Sequence, residues 1–378
     1  DTYFSTLYPV LEDKKRACVI LPRLRNLSLN PLKSLKELRS FYYVVNNDSR
    51  KFIFEYDVIS FKDFFEIIGL IIRYPFKTLN LLQKESTEVD TIFNHHLMKD
   101  IPKVGFDVFS RYLFGKNLRK INNLNEIFSW SEFQDIERSF NLGVRDANHI
   151  KIIACQLLIA SSNFIHLPIR EIDVSSGCAP HKVLVNGRYA LRQCNGIEYE
   201  VGVSLRYPNV FKDISKAEEN CILVLGSYDV NSTKNVLKQM TFADKYLFKS
   251  HPAIKDSTFE NDLGNSGVIT KENIYDLFSK SQIIIATSGG TSVEAVSSGS
   301  SVIIVGSGEE LMNNTLAEYG KGQIWDLAVS EGDLNHVYEN LLQFRTKYPE
   351  KIKDISNWYK NNFFVEPTKE NISCIFFK

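Results

Sequence analysis

In "IIIATSGGTSVEAVSSGSSVIIVG", residues 283–306, two apolar runs enclose small and hydroxylated residues around one carboxylate, Glu294. Ser288, Gly289, Gly290, Thr291 and Ser292 fall where a strand should end and a helix begin. Glycines at such a turn let backbone N–H groups approach a ligand closely, hydroxyls add donors, and the helix dipole favours an anion. The composition is that of a phosphate or carboxylate cradle, with Thr291 or Ser292 as the expected cap. Glu294, near the first turn, either serves the helix end or accepts hydrogen bonds from ribose hydroxyls. The sequence holds no GxxxxGK[ST] phosphate loop, and "GSGEEL" (306–311) begins like a GxGxxG fingerprint but does not complete it.

Two further stretches carry the same logic. "LFKSHPAIKD" (247–256) places Lys249, His251 and Pro252 at the end of another strand, and a histidine there can donate to a phosphate oxygen while the proline fixes its backbone. "LGSYDVNSTKN" (225–235) brings Gly226, Ser227 and Asp229 into a third small-residue turn entering a helix. Three such ends on one sheet rim point to a nucleotide-sized ligand. A lone histidine before a proline is otherwise a turn residue.

The elements that must position these residues follow from the pattern of apolar runs. From about residue 218, strands are expected at 221–227, 245–250, 266–270, 282–288, 301–307 and 322–328, with helices at 231–240, 271–280, 291–299 and 308–320. Fully apolar strands alternating with helices indicate a doubly wound parallel α/β sheet. The first half predicts strands at 15–22, 41–47, 51–59, 126–130, 150–158 and 181–187, with a helix over 61–95, which fits a second α/β domain. The mixed-polarity passage 196–218 reads as the hinge, and helices are expected at 333–347 and 349–361. The expected organisation is an N-terminal domain 1–205, a C-terminal domain 206–348 and a tail 349–378 that packs back on the first.

A chain of 378 residues exceeds what one hydrophobic core serves, which agrees with two domains. Lys plus Arg equals Asp plus Glu at 45 each, so the long-range field of a nucleic-acid binder is missing and no nucleic-acid partner is expected. Six scattered cysteines without metal-ligand spacing read as reduced, buried thiols of a cytoplasmic protein. The opening "DTYFSTLYPV" has no signal pattern and no initiator Met, which suggests processing or trimming. "FFEIIGLII" (64–72) is too short to span a bilayer.

"KSHP" and "ATSGGTSVEAVSSGSSVIIVG" together resemble the histidine–proline motif and the serine- or glycine-rich donor motif of glycosyltransferases of the GT-B architecture, in which two Rossmann-like domains face each other across a cleft. "SWSEFQDIERSFNLGVRDANHIKIIACQ" (129–156), "HKVLVNG" (181–187) and "VGVSLRY" (201–207) are similar to bacterial surface-carbohydrate biosynthesis proteins, which make capsule, lipopolysaccharide or O-antigen. The resemblance covers roughly 125–320. It implies a CMP-activated donor of the nonulosonic-acid or Kdo type, no cofactor, no metal, and a glycan or lipid-linked glycan acceptor. "GGTSVEA" also resembles the loop of UDP-sugar enzymes.

By this resemblance Glu132 meets the acceptor hydroxyl as base, or as nucleophile in a retaining enzyme, and Asp229 is a second catalytic carboxylate. The alternative is that Glu132 or Glu137 serves the following helix. Arg145 and Arg206 are expected to bind diphosphate or a sugar carboxylate. His251 and the turn 288–294 would hold the donor. A polyol-phosphate transferase, an epimerase or a non-catalytic nucleotide- or glycan-binding module remain alternatives. The aromatic helix at 61–82, flanked by Lys62, Arg73 and Lys77, is either packed on its own domain or a peripheral membrane anchor.

Overall fold

The computed structural model describes residues 3–14, 18–22, 30–145, 147, 149–161, 164, 167–212, 221–287, 289–306, 314–330 and 332–377. In chain order the strands are β1 (Val19–Ile20), β2 (Lys51–Phe52), β3 (Glu126–Trp130), β4 (Lys151–Gln156), β5 (Lys182–Val185), β6 (Glu198–Val201), β7 (Cys221–Leu225), β8 (Tyr246–Lys249), β9 (Gly267–Ile269), β10 (Ser281–Ala286), β11 (Ser301–Val305) and β12 (Trp325–Ala328). β1 and β2 form a small parallel pair, β3-β4-β5-β6 a parallel sheet, and β12-β11-β10-β7-β8-β9 a second parallel sheet. The chain is thus an α/β protein with two parallel sheets, one per domain.

The C-terminal sheet is apolar on both faces, as its sequence demands. Ile284, Ala286, Val302 and Ile304 pack on one side with Val293 and Val296, while Ile283, Ile285, Ile303 and Val305 pack on the other with Leu237, Leu334 and Leu341. Burying each such side chain contributes about 1.5–3 kcal/mol, so both helix layers are firmly held. In this strand order the winding reverses between β7 and β10. Such a switch point is where open parallel sheets place a ligand, outside the strands' carboxyl ends.

Several elements of the first half differ from expectation. Residues 41–47 are the second half of the helix Pro31–Asn46, because the Asn30 side chain accepts from the amides of Leu32 and Lys33 and Pro31 opens the helix. The cap upstream overrides the strand preference of "FYYVV". The stretch 51–59 yields only β2 and the short helix Glu55–Val58. The span 61–95 holds parts of two helices, Phe61–Leu79 and Glu88–Asp100, each opened by a capping box at Ser60/Asp63 and Thr87/Asp90. β6 emerges from the passage read as hinge. Residues 314–320 are not helical, and 307–313 lie outside the described residues. Of the six cysteines only Cys155 is buried, its thiol pushed up to about 12 by burial, while Cys18 and Cys374 are exposed.

The C-terminal segment joins the domains. Helix Pro349–Phe363 supplies Ile352, Ile355, Tyr359 and Phe363 to a core that also takes in Ile159 of the first domain and Tyr207 and Val210 of the segment that crosses between the domains. Arg188 Nε donates to Asn362 Oδ1 at 2.6 Å. Helix Lys369–Phe376 then buries Ile372 and Phe376 among Leu7, Val10, Cys155 and Leu184 of the first domain. Among the described residues no helix is long and apolar enough to cross a membrane.

Candidate active site

The turns after β7, β8 and β10 lie side by side on the carboxyl rim, at and beside the switch point. The Gly226 amide donates to the Lys249 carbonyl at 2.9 Å, which ties the end of β7 to that of β8. A Cβ on Gly226 would meet the Phe248 ring at 3.3 Å and the His251 nitrogen at 3.4 Å, so a small residue keeps these two ends together. Ser227 donates through its hydroxyl to the Asp229 carbonyl at 2.9 Å and through its amide to Thr233 Oγ1 at 3.0 Å.

His251 is half-buried, and burial lowers its pKa. The Ala253 amide donates to Nδ1 at 3.2 Å, which assigns the neutral ring's proton to Nε2. Tyr228 meets the ring edge-on at 5.8 Å and helps fix its plane. A neutral imidazole with a free Nε2–H is a hydrogen-bond donor suited to a phosphate oxygen. Lys249, Ser250, Pro252, Lys255 and Lys271 line an adjacent depression of about 530 Å³. Lys249 itself donates to the Glu272 carbonyl at 2.7 Å, so its ammonium is partly committed there.

The β10 turn departs from the expected cradle. Gly289 adopts φ +117°, a conformation open to glycine, and its carbonyl accepts from Thr315 Oγ1 at 2.8 Å. The helix Thr291–Ser297 is capped by Gly290 with no side-chain bond, so neither Thr291 nor Ser292 is the cap. The amides of Ser292, Val293 and Glu294 donate to the carbonyls of Gly289 and Gly290, which removes them as anion donors. A Cβ on Gly290 would lie 3.0 Å from the Ile159 carbonyl oxygen, so this glycine admits the first domain's backbone. Ser288 lies outside the described residues. Among the described residues the buried Thr287 and Ser292 hydroxyls meet no hydrogen-bond partner, an uncommon condition for polar atoms.

Glu294 neither caps its helix nor faces open solvent. Tyr275 donates its hydroxyl to Glu294 Oε2, and among the described residues no hydrogen bond is formed by Oε1. Burial pushes the carboxyl up to about 7, against the opposing pull of the Tyr275 bond and the Arg206 charge. Burial and the neighbouring carboxylate likewise push the hydroxyls of Tyr275 and Tyr207 upward. The Arg206 guanidinium lies over Tyr3 at 5.2 Å and Tyr207 at 5.6 Å. Tyr3 in turn stacks on Trp130 at 4.6 Å, at the end of β3 and two residues before Glu132. Contacts thus run from Arg206, whose charge reaches Glu294, through Tyr3 and Trp130 to the strand end that carries Glu132.

Glu132 follows β3 at a turn where Phe133 takes φ +55°, rare for a bulky residue. Phe133 is buried under the Arg138 guanidinium, 4.2 Å from its ring centroid, and packing holds the strained turn. Gln134 Nε2 donates to Glu132 Oε2 at 2.6 Å, whereas Glu137 accepts the Gln134 amide at 2.5 Å and serves the start of the helix Asp135–Arg145. Sequence reasoning missed Tyr275, Tyr3 and Trp130. An aromatic at the end of a predicted strand was the available signal for Trp130.

Two expected residues stand elsewhere. Asp229 caps the helix Val230–Gln239, accepting from the amides of Asn231 and Ser232 at 3.4 and 2.6 Å, and the Ser232 bonds lower its pKa. Its oxygens are spent on the helix. Arg145 donates to the Val174 and Ser175 carbonyls at 3.3 Å each, at the far end of a helix that runs back to the amino edge of the sheet, away from the rim.

Two parallel-sheet domains joined by a C-terminal helix that packs against both, with the first domain's strand-end segments against the second domain's β10 turn, define a protein of the GT-B fold. Solved structures bear this out: MurG of Acinetobacter baumannii superposes with TM-score 0.52 at 8% identity, covering 98% of this chain and 94% of that one. UDP-GlcNAc 2-epimerase from Neisseria meningitidis, bound to UDP-GlcNAc, gives 0.53 at 9%, covering 99% and 96%. A further UDP-N-acetylglucosamine 2-epimerase gives 0.51 at 12%, covering 99% and 91%. No family model matches the sequence, and no curated protein matches it.

Proposed function

We propose that the protein is a glycosyltransferase that moves a sugar from a nucleotide donor to a glycan hydroxyl. The observation that carries this reading is Glu294, a carboxylate poised near neutrality beside the switch point, held on one oxygen by Tyr275 and under the charge of Arg206 in the segment that crosses between the domains. Its second oxygen suits a donor hydroxyl, such as that of a ribose. His251 Nε2–H would meet the departing phosphate. Glu132, across the cleft, would take the proton of the attacking acceptor hydroxyl, a task worth about 10²–10⁴-fold in rate.

The histidine–proline element supports a CMP-activated donor. The UDP-GlcNAc held by a neighbour of the same fold supports a UDP-sugar, and with it an epimerase as the second reading. Thermal unfolding in the presence of CMP, UDP, GDP or dTDP separates them. A nucleotide at 100 times its Kd stabilises the folded chain by about 2.7 kcal/mol. Stabilisation by CMP that His251→Ala abolishes supports the CMP donor, and stabilisation by UDP alone discards it. Silence from all four removes the transferase reading. Incubation of the stabilising nucleotide's sugar without acceptor then tells epimer formation from transfer.

A further inference from the structure

Helix Phe61–Leu79 has two apolar faces where a packed helix needs one. The inward face is complete: Ile67 is fully buried, Asp63 accepts from Ser60 and from Asn117 Nδ2 at 2.9 Å, and the Thr78 hydroxyl donates to the Tyr74 carbonyl. The outward face leaves Phe61 79%, Phe65 58%, Ile72 59% and Phe76 68% exposed, with Ile68 and Leu79 between and beyond them. Steps of three and four residues place all six on one stripe. Single exposed apolar residues are ordinary, but a continuous stripe of this length marks an interaction surface.

Charge identifies the occupant. Lys62, Arg73 and Lys77 are exposed on the same helix, and among the described residues none of them pairs with a carboxylate. The helix's one exposed acid, Glu66, is neutralised by Lys116 at 3.2 Å. An aromatic stripe with cations beside it matches the acyl boundary and phosphate layer of an anionic bilayer. A two-fold contact with a second copy would instead bring the same cations together.

We infer that the outward face of helix Phe61–Leu79 docks in the plane of an anionic lipid bilayer, phenylalanines at the headgroup–acyl boundary and Lys62, Arg73 and Lys77 in the phosphate layer. The inference stands independently of the glycosyl-transfer reading. Flotation of the full chain with phosphatidylcholine vesicles, with and without phosphatidylglycerol, tests it. The chain is expected to float with the anionic vesicles, and Lys62→Gln and Arg73→Gln each to weaken partition about fivefold. Phe65→Ser combined with Ile72→Ser should abolish flotation and leave the thermal midpoint unchanged, since both side chains are exposed. A chain that stays at the bottom, a double variant that floats like the parent, or a dimer in sedimentation that the double variant splits would each overturn the inference.

Discussion

Asp229 and Glu294 stand at matching places in one sheet, each just past a strand that borders the switch point and each at the start of the next helix. Asp229 is only half-buried and spends its oxygens on helix amides, so its carboxyl sits below the ordinary range. Glu294 lies one turn deeper, under Tyr207 and Tyr275, where desolvation outweighs one hydrogen bond and one neighbouring cation. The same residue chemistry thus gives a structural anion at one turn and a half-protonated acid at the other. The difference lies in what covers each turn: solvent over β7, the opposite domain over β10.

If that contrast is correct, Glu294→Gln should weaken binding of the stabilising nucleotide sugar about 10–100-fold by calorimetry, the cost of a lost hydrogen bond to a charged group. An unchanged affinity would erase the functional half of the comparison. The same variant should alter stability in a defined direction. Folded Glu294 keeps its proton up to about pH 7, whereas the unfolded carboxyl ionises near 4.5, so the folded state binds more protons across that window and loses stability as pH rises through it. Denaturant titrations should show the glutamine variant gaining about 2 kcal/mol on the parent between those limits, discounted for the side chain's partial exposure.

Asp229→Ala should cost about 1 kcal/mol of stability, the typical worth of an N-cap, while nucleotide affinity stays unchanged. A loss of affinity without a loss of stability would reverse the two roles. The smallest effect belongs to Tyr275→Phe. Removing a bond that favours the carboxylate should move the Glu294 midpoint upward from about 7, read from the pH profile of nucleotide binding.

The second domain is legible in its sequence because parallel strands buried on both faces are apolar without interruption, and the three small-residue turns fall at their ends. The first domain is less so. Its helix Pro31–Asn46 is decided by the Asn30 side chain and Pro31, upstream of the β-branched and aromatic run that misleads a reading of propensity. The break between the helices Phe61–Leu79 and Glu88–Asp100 is written in "TEVD", a capping signal that an apolar pattern hides. At the site, Glu294 is readable but its state is not. Tyr275 arrives from the preceding helix, Tyr207 from the segment that crosses between the domains and Tyr3 from the chain's first residues, and only folding brings them together.

The peptide passes between the domains twice, outward after Leu205 and back after Phe363, and the two passages are stitched where the Ser204 amide donates to the Val365 carbonyl and the Val365 amide to Ser204 Oγ, both at 2.9 Å. The two crossings are thus fastened to each other, and the second domain behaves as an insert that cannot be cut away at residue 348 without also stripping Ile372 and Phe376 from the first domain's own core.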